Sequence, residues 1–374
     1  MPPPNPVQQA YSLGQSIWYD NVRRGLIASG ELANLIALGV TGLTSNPSIF
    51  EKAIAGSSDY DTALAALARR GLDPIACYES LAVADIQAVC DLLRPVYQAT
   101  RGVDGYASLE ASPRLAHDTN GTVAEIRRLR AAVNRPNAMF KVPATAAGIP
   151  AVRQLIAEGV NINVTLIFSR DTYLQVLRAY IEGLESLHAA GGRLASVASV
   201  ASFFVSRVDT MLDPILERRI AQGEPALQPL LGQAAIANAK LAYQDFLRVS
   251  AMPRWQHLRV HGARVQRPLW GSTSTKNPAY RDVLYVETLI GPNTVNTIPP
   301  ATLTAFLDHG RAALTIAHDT DRSRDILSAL ARAGITMPQI TDTLLADGVK
   351  AFSDSFESLL ANIAQKREKL LAAV

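Results

Sequence analysis

The sequence predicts a closed (β/α)8 barrel, an α/β fold of the TIM-barrel type, and three observations carry that prediction. Short apolar segments alternate with longer amphipathic ones along nearly all 374 residues, the rhythm of repeated βα units. Eight strand candidates can be counted, and eight such units in a chain of this size favour closure, with a doubly wound open sheet as the competing architecture. Polar residues recur at the carboxyl ends of those strands, the side on which a barrel opens its functional face. With 48% hydrophobic residues the chain can bury a large core, and residues 1–374 read as a single barrel domain.

In order, residues 16–20 place Ile17, Trp18 and Tyr19 ahead of Asp20, and residues 42–46 end on Asn46 before a proline. Residues 106–110 end on Glu110, and residues 138–143 carry Lys141 between Phe140 and Val142. Residues 162–168 contain Asn163 and Thr165 two apart and so on one face, with Val164 and Leu166 turned to the helices. The remaining strands are read at 194–203, which includes Ser202, then at 267–272 and 285–290. Helices are expected over 74–97, 123–133 and 172–188, the second with Thr122 and Glu125 spaced as a capping box. The interval 209–262 is longer than the others and mostly helical, an elaborated connection between strands six and seven. Residues 352–371 form one more amphipathic helix, free to pack across the barrel mouth.

Composition excludes several classes of function. A formal net charge of +3 without blocks of like charge calls for neither nucleic acid nor an acidic membrane. No stretch is long and apolar enough to span a bilayer, and the start Met1-Pro2-Pro3-Pro4-Asn5-Pro6 lacks the features of a signal peptide. Cys77 and Cys90, both in the helical stretch 74–97, are expected reduced and buried, as in a cytoplasmic protein. His257 and His261 are four apart, a spacing that can hold metal on a helix, but no third ligand is evident along the chain and no metal is expected. The chain is expected to act as a homodimer or a monomer.

Lys141 is the most informative residue. Burial disfavours a charged ammonium, and a neutral amine attacks carbonyls to form a Schiff base, which lets carbon–carbon bonds break without a metal. The competing reading is a strand-end lysine that snorkels its head into water. Its companions have plain alternatives too. Asp20 could cap a helix, Asn46-Pro47 could be a turn, Glu110 could form a structural ion pair with Lys141, and Thr165 and Ser202 are ordinary strand residues. Their convergence at successive strand ends favours a site.

Four motifs resemble transaldolases, in order along nearly the whole chain: Thr41-Gly42-Leu43-Thr44-Ser45-Asn46-Pro47-Ser48, Lys141-Val142-Pro143-Ala144-Thr145, Asn161-Ile162-Asn163-Val164-Thr165-Leu166-Ile167-Phe168-Ser169, and Ala201-Ser202-Phe203-Phe204-Val205-Ser206-Arg207. The long connection is similar to that of the longer-chain bacterial branch. The resemblance implies an enzyme of the pentose phosphate pathway that needs no cofactor. It would carry a dihydroxyacetone unit from sedoheptulose 7-phosphate or fructose 6-phosphate to an aldose phosphate. It further implies Lys141 as the Schiff-base lysine, Asp20 as acid and base, and Glu110 with Thr165 holding a water. Asn46, Asn163 and Ser202 would bind the dihydroxyacetone unit, and Arg207 the phosphate. Ser274 and Lys276, after strand seven, stand where the better-known branch has a serine and an arginine in a shorter turn. Phe204 takes the place of a tyrosine found in relatives that cleave fructose 6-phosphate outright, which favours transfer over lysis. The competing function is a sugar-phosphate sensor that keeps the barrel without catalysis.

Overall fold

The computed structural model describes residues 3–372. Eight parallel strands pair in chain order and the eighth closes on the first. They are β1 (Gln15–Asp20), β2 (Gly42–Thr44), β3 (Tyr106–Glu110), β4 (Ala138–Pro143), β5 (Ile162–Ile167), β6 (Ser199–Phe204), β7 (Arg267–Gly271) and β8 (Thr294–Ile298). Helices surround the closed sheet, so the (β/α)8 barrel is the fold.

Alternation along each strand sorts its residues into two environments. Ile17, Leu43, Leu109, Phe140, Val164 and Phe203 join the large core between barrel and helices. Trp18, Tyr106, Met139, Val200, Leu269 and Val295 form a separate apolar layer inside the barrel. Gly42 lies beside Trp18 in register, and a Cβ there would stand 2.5 Å from the indole ring. Beneath that layer Asp104 seals the amino-terminal end. Its Oδ1 accepts from Trp18 Nε1 and Arg267 Nη2, both at 2.9 Å, and its Oδ2 accepts from Ser16 Oγ at 2.6 Å. A buried carboxylate tolerates this position because every neighbour donates to it.

The last strand differs from the expected 285–290. Leu284–Glu287 is a single helical turn; its Tyr285 and Val286 are buried, as are Leu289 and Ile290 just after it, a spacing of three to four that suits a helical face as well as a strand. The true β8 contains the polar Thr294, Asn296 and Thr297, whose side-chain oxygens are hydrogen-bonded to Gln15, Thr273 and Thr44, and so lacks the apolar signature. Residues 194–196 form a 3-10 turn and β6 starts at Ser199. Asn46 falls just beyond β2, as the N-cap of the helix Pro47–Ala55. In β5 the register shifts between Val164 and Ile167, with Leu166 at φ 58°. This bulge takes Leu166 out of strict alternation and packs it under Gly348 of the C-terminal helix.

The expected 74–97 helix is two, Pro74–Leu92 and Arg94–Ala99, interrupted just before Pro95. The helix expected from 123 begins a turn earlier as Thr119–Val133. Asp118 caps it through Gly121, while Glu125 accepts instead from the Ser112 amide. Arg170–Ala189 matches expectation closely. The β6–β7 connection contains helices Ser206–Ala221, Ala234–Ser250 and Pro253–Val260. The C-terminal helix, Met337–Ala372, is far longer than expected and brings Phe352 to the barrel mouth. Both cysteines are free and buried, and among the described residues no helix is long and apolar enough to cross a membrane.

Candidate active site

The inward-facing residues one step above the Trp18 layer are polar. They border a cavity of about 570 Å³ at the carboxyl end of the strands, lined by Asp20, Thr44, Asn46, Lys141, Thr165, Ser202, Phe204, Arg207, Ser274, Lys276, Thr297 and Phe352 among others. The alternation that fills the barrel with Trp18 and Met139 therefore delivers Asp20 and Lys141, two residues later, to its open end.

Lys141 is buried on β4, where its Nζ donates to Glu110 Oε2 and to the Ser45 carbonyl, both at 3.0 Å. It does not snorkel; its head points into the cavity, 5.8 Å from the centre of the Phe352 ring. Glu110 is its register partner on β3 and lies behind it, outside the main cavity and beside a smaller one of about 270 Å³. Burial pushes the Glu110 carboxyl up, and Lys141 only partly offsets that. The ion pair foreseen as the plain alternative is thus present, at the wall of the cavity.

Asp20 ends β1. Thr44 Oγ1 donates to its Oδ1 at 2.6 Å, and since that spends the only Thr44 hydroxyl proton, Thr297 Oγ1 donates to Thr44 at 2.6 Å. Burial raises the Asp20 carboxyl, with the Thr44 bond and the charges of Lys141, Arg207 and Lys276 pulling it back down. Thr165 is fully buried on β5, borders the cavity, and its hydroxyl has no protein partner among the described residues. Such a group needs a polar partner from the cavity.

Asn46 uses its Oδ1 to cap the following helix through the Ile49 amide at 2.9 Å, leaving its amide nitrogen to the cavity. Turn former and cavity residue are one arrangement here. Ser202 borders the cavity, but Asn163 does not. Its Oδ1 accepts from Ser202 Oγ at 2.6 Å and its Nδ2 donates to Ser108 Oγ at 3.1 Å, so Asn163 orients Ser202 from behind. Phe204 presents an unsubstituted ring, packed on Phe168, and the Arg207 guanidinium lies 5.2 Å from its centre.

Arg207 rests against the Phe204 ring with no ion pair within 4 Å among the described residues, and burial lowers its pKa, which the charge of Asp20 only partly offsets. Lys276 stands at the rim with its ammonium on Ser274 Oγ, and its pKa is lowered by partial desolvation and by Arg207. Ser272, at φ 54°, anchors this loop by accepting from the Ser206 amide at 3.0 Å. Two unneutralised cations over hydroxyls and a glycine make an anion site.

Thr44, Thr297, Phe352 and the Ser45 carbonyl were missed by sequence reasoning. Thr44 shares the face of Gly42 and was findable by alternation. Thr297 was hidden by the misplaced last strand, and although the helix from Phe352 was expected across the barrel mouth, nothing local shows that Phe352 faces Lys141, 211 residues earlier.

A parallel barrel with a buried amine, two carboxylates and an anion site at the carboxyl ends of its strands defines a barrel enzyme. The family model Transaldolase/Fructose-6-phosphate aldolase matches residues 17–363. The chain is 47% identical to Transaldolase 2 of a Nostoc species, over 96% of this chain and 97% of that one. It is 48% identical to a transaldolase of Neisseria gonorrhoeae, with 94% and 97% covered, and 46% identical to one of Frankia alni, with 97% of each covered. The chain belongs to the transaldolase/fructose-6-phosphate aldolase family and is an enzyme of the transferase class.

Proposed function

We propose that this enzyme is a transaldolase of the non-oxidative pentose phosphate pathway, acting in the cytoplasm as one barrel domain on sugar phosphates without a cofactor. It transfers a dihydroxyacetone unit from sedoheptulose 7-phosphate or fructose 6-phosphate to glyceraldehyde 3-phosphate or erythrose 4-phosphate. The observation that carries this reading is Lys141, buried against Glu110 at the wall of a cavity whose rim holds Arg207 and Lys276.

Arg207, Ser274 and Lys276 hold the phosphate, which directs the ketone toward β4. Glu110, its carboxyl raised by burial, takes a proton from Lys141 Nζ across their hydrogen bond. The nitrogen lone pair then adds to the ketone carbon to form a carbinolamine. Glu110 and the unpartnered Thr165 hydroxyl hold a water that relays protons as the carbinolamine loses its hydroxyl and becomes the protonated imine. Asn46 and Ser202, the latter aligned by Asn163, bind the dihydroxyacetone hydroxyls. Asp20, a stronger base for being desolvated, removes the proton of the hydroxyl on the far carbon of the bond that breaks, which becomes the aldehyde carbon. The electron pair of that bond flows into the imine, the aldose phosphate leaves, and an enamine stays on Lys141. The acceptor aldehyde enters, the enamine carbon attacks it, Asp20 returns its proton to the new alkoxide, and water releases the product ketose.

The test is intact mass spectrometry after incubation with fructose 6-phosphate and borohydride. The parent is expected to gain a dihydroxyacetone-sized adduct and Lys141→Ala none. A folded parent that binds the sugar without an adduct would overturn the mechanism and promote the sensor reading. Fructose 6-phosphate alone should give no steady release of aldose, because Phe204 offers no hydroxyl to help water discharge the enamine. Steady release without an acceptor would make the activity lysis.

A further inference from the structure

His257 and His261 lie at the end of the helix Pro253–Val260 and just beyond it, four residues apart. The third ligand that the linear sequence does not reveal comes from another helix: His188, in the last turn of Arg170–Ala189. One ring nitrogen from each of the three lies within 4.8 Å of the others. The His261 ring is 4.5 Å from that of His188 and 4.6 Å from that of His257, centre to centre. The chain has six histidines, so half of them converge on one spot.

The cluster is framed by packed structure. The two helices are held together by the Tyr180 and Trp255 rings, 6.4 Å apart and near parallel, and by an ion pair between Arg254 and Glu185. His188 follows Glu185 by one turn and His257 follows Arg254 by one turn, so the frame that joins the helices also presents the imidazoles to each other. His261 is set further. Its Nδ1 stands 2.8 Å from the His257 carbonyl oxygen, which only accepts, so Nδ1 carries the proton and the lone pair is on Nε2. Metal-binding imidazoles are commonly oriented by such a bond at their other nitrogen.

We propose that His188, His257 and His261 form a binding site for a zinc-like divalent ion, which clips the two helices together. Three neutral imidazoles suit zinc, cobalt, nickel or copper and offer nothing to magnesium or calcium, which take oxygen ligands. Tetrahedral zinc with three such ligands needs donors roughly 3.3 Å apart, reached by small rotations of His257 and His261, whose side chains are exposed. A water completes the shell. Both helices end where β6 and β7 approach, so the site is at the amino-terminal end of the barrel, opposite the catalytic cavity. The ion is therefore a structural clip, separate from the aldol chemistry.

The experiment is equilibrium dialysis of the untagged full chain against zinc chloride, with thermal midpoints measured alongside. The parent should bind one zinc per chain and melt higher with zinc, reversibly on adding EDTA, and magnesium should do neither. His188→Gln and His261→Gln should each weaken zinc binding by about tenfold or more, whereas His309→Gln should retain parental affinity, and all three should keep parental turnover. No saturable zinc binding by the parent, or parental affinity in His261→Gln, overturns the site. His261 is exposed beyond a helix end, so that variant serves even if His188→Gln fails to fold.

Discussion

Asp20 shows how the acid–base role proposed for it would come against the interest of the fold. Its carboxyl is raised by burial, so the folded chain holds that proton more readily than the unfolded one. Its contribution to stability is therefore best below the ordinary carboxylate range. It declines as pH rises from that range through the raised folded value, and at neutral pH the charge is destabilising. Asp20→Asn should melt higher than the parent at neutral pH while losing turnover by a hundredfold or more, about the contribution of an acid–base group. Calorimetry and a coupled assay read both, and a lower melting temperature would count against the argument. Asp20, Glu110 and Lys141 were legible in the sequence because each interrupts an apolar strand near its end. The duty of Asn163 was not, since it depends on Ser202 and Ser108, which only pairing across β3, β5 and β6 brings within reach.

At the scale of elements, alternation located seven strands and failed on the eighth, because Tyr285, Val286, Leu289 and Ile290 are as apolar as a strand while β8 itself is half polar. What holds the misread segment in place is invisible locally. The Tyr285 hydroxyl donates to Asp209 Oδ2 at 2.8 Å, and the Ala235 amide donates to Oδ1 at 2.8 Å. Burial pushes Asp209 up to about 7. The folded state keeps its proton longer than the unfolded state does, so stability should fall as pH climbs from about 4 to about 7 and level off above. Asp209→Asn should flatten that part of a plot of melting temperature against pH, and an unchanged slope would assign the dependence elsewhere. Gly42 offers a steric test in β2: Gly42→Ala drives a methyl into Trp18 and should cost about 1–3 kcal/mol in denaturant unfolding. Neutral behaviour would mean that the Trp18 layer has room to yield.

For the molecule as a whole, the barrel is complete without its most distant wall. The helix Met337–Ala372 is docked by Phe352, Phe356, Leu359 and Ile363, all in the main core, and by Ser48 on Ser355 at 2.7 Å. Phe352 also faces Lys141. Phe352→Ala should lower stability by about 3 kcal/mol, the lower end for a buried phenylalanine because one side of the ring borders open cavity. It should also slow turnover, by admitting water around Lys141. Full activity with an intact melting temperature would remove the helix from the site.

That wall has a consequence for how the enzyme comes into being. A growing chain emerges from its amino end at about 5–20 residues each second, and Phe352 is the last of the cavity's residues to be made, more than three hundred positions after Asp20. Every other component of the pocket leaves the ribosome first. A nascent chain can therefore close its barrel with Lys141 still facing open water, and its pocket is walled only when the final helix is released to settle across it.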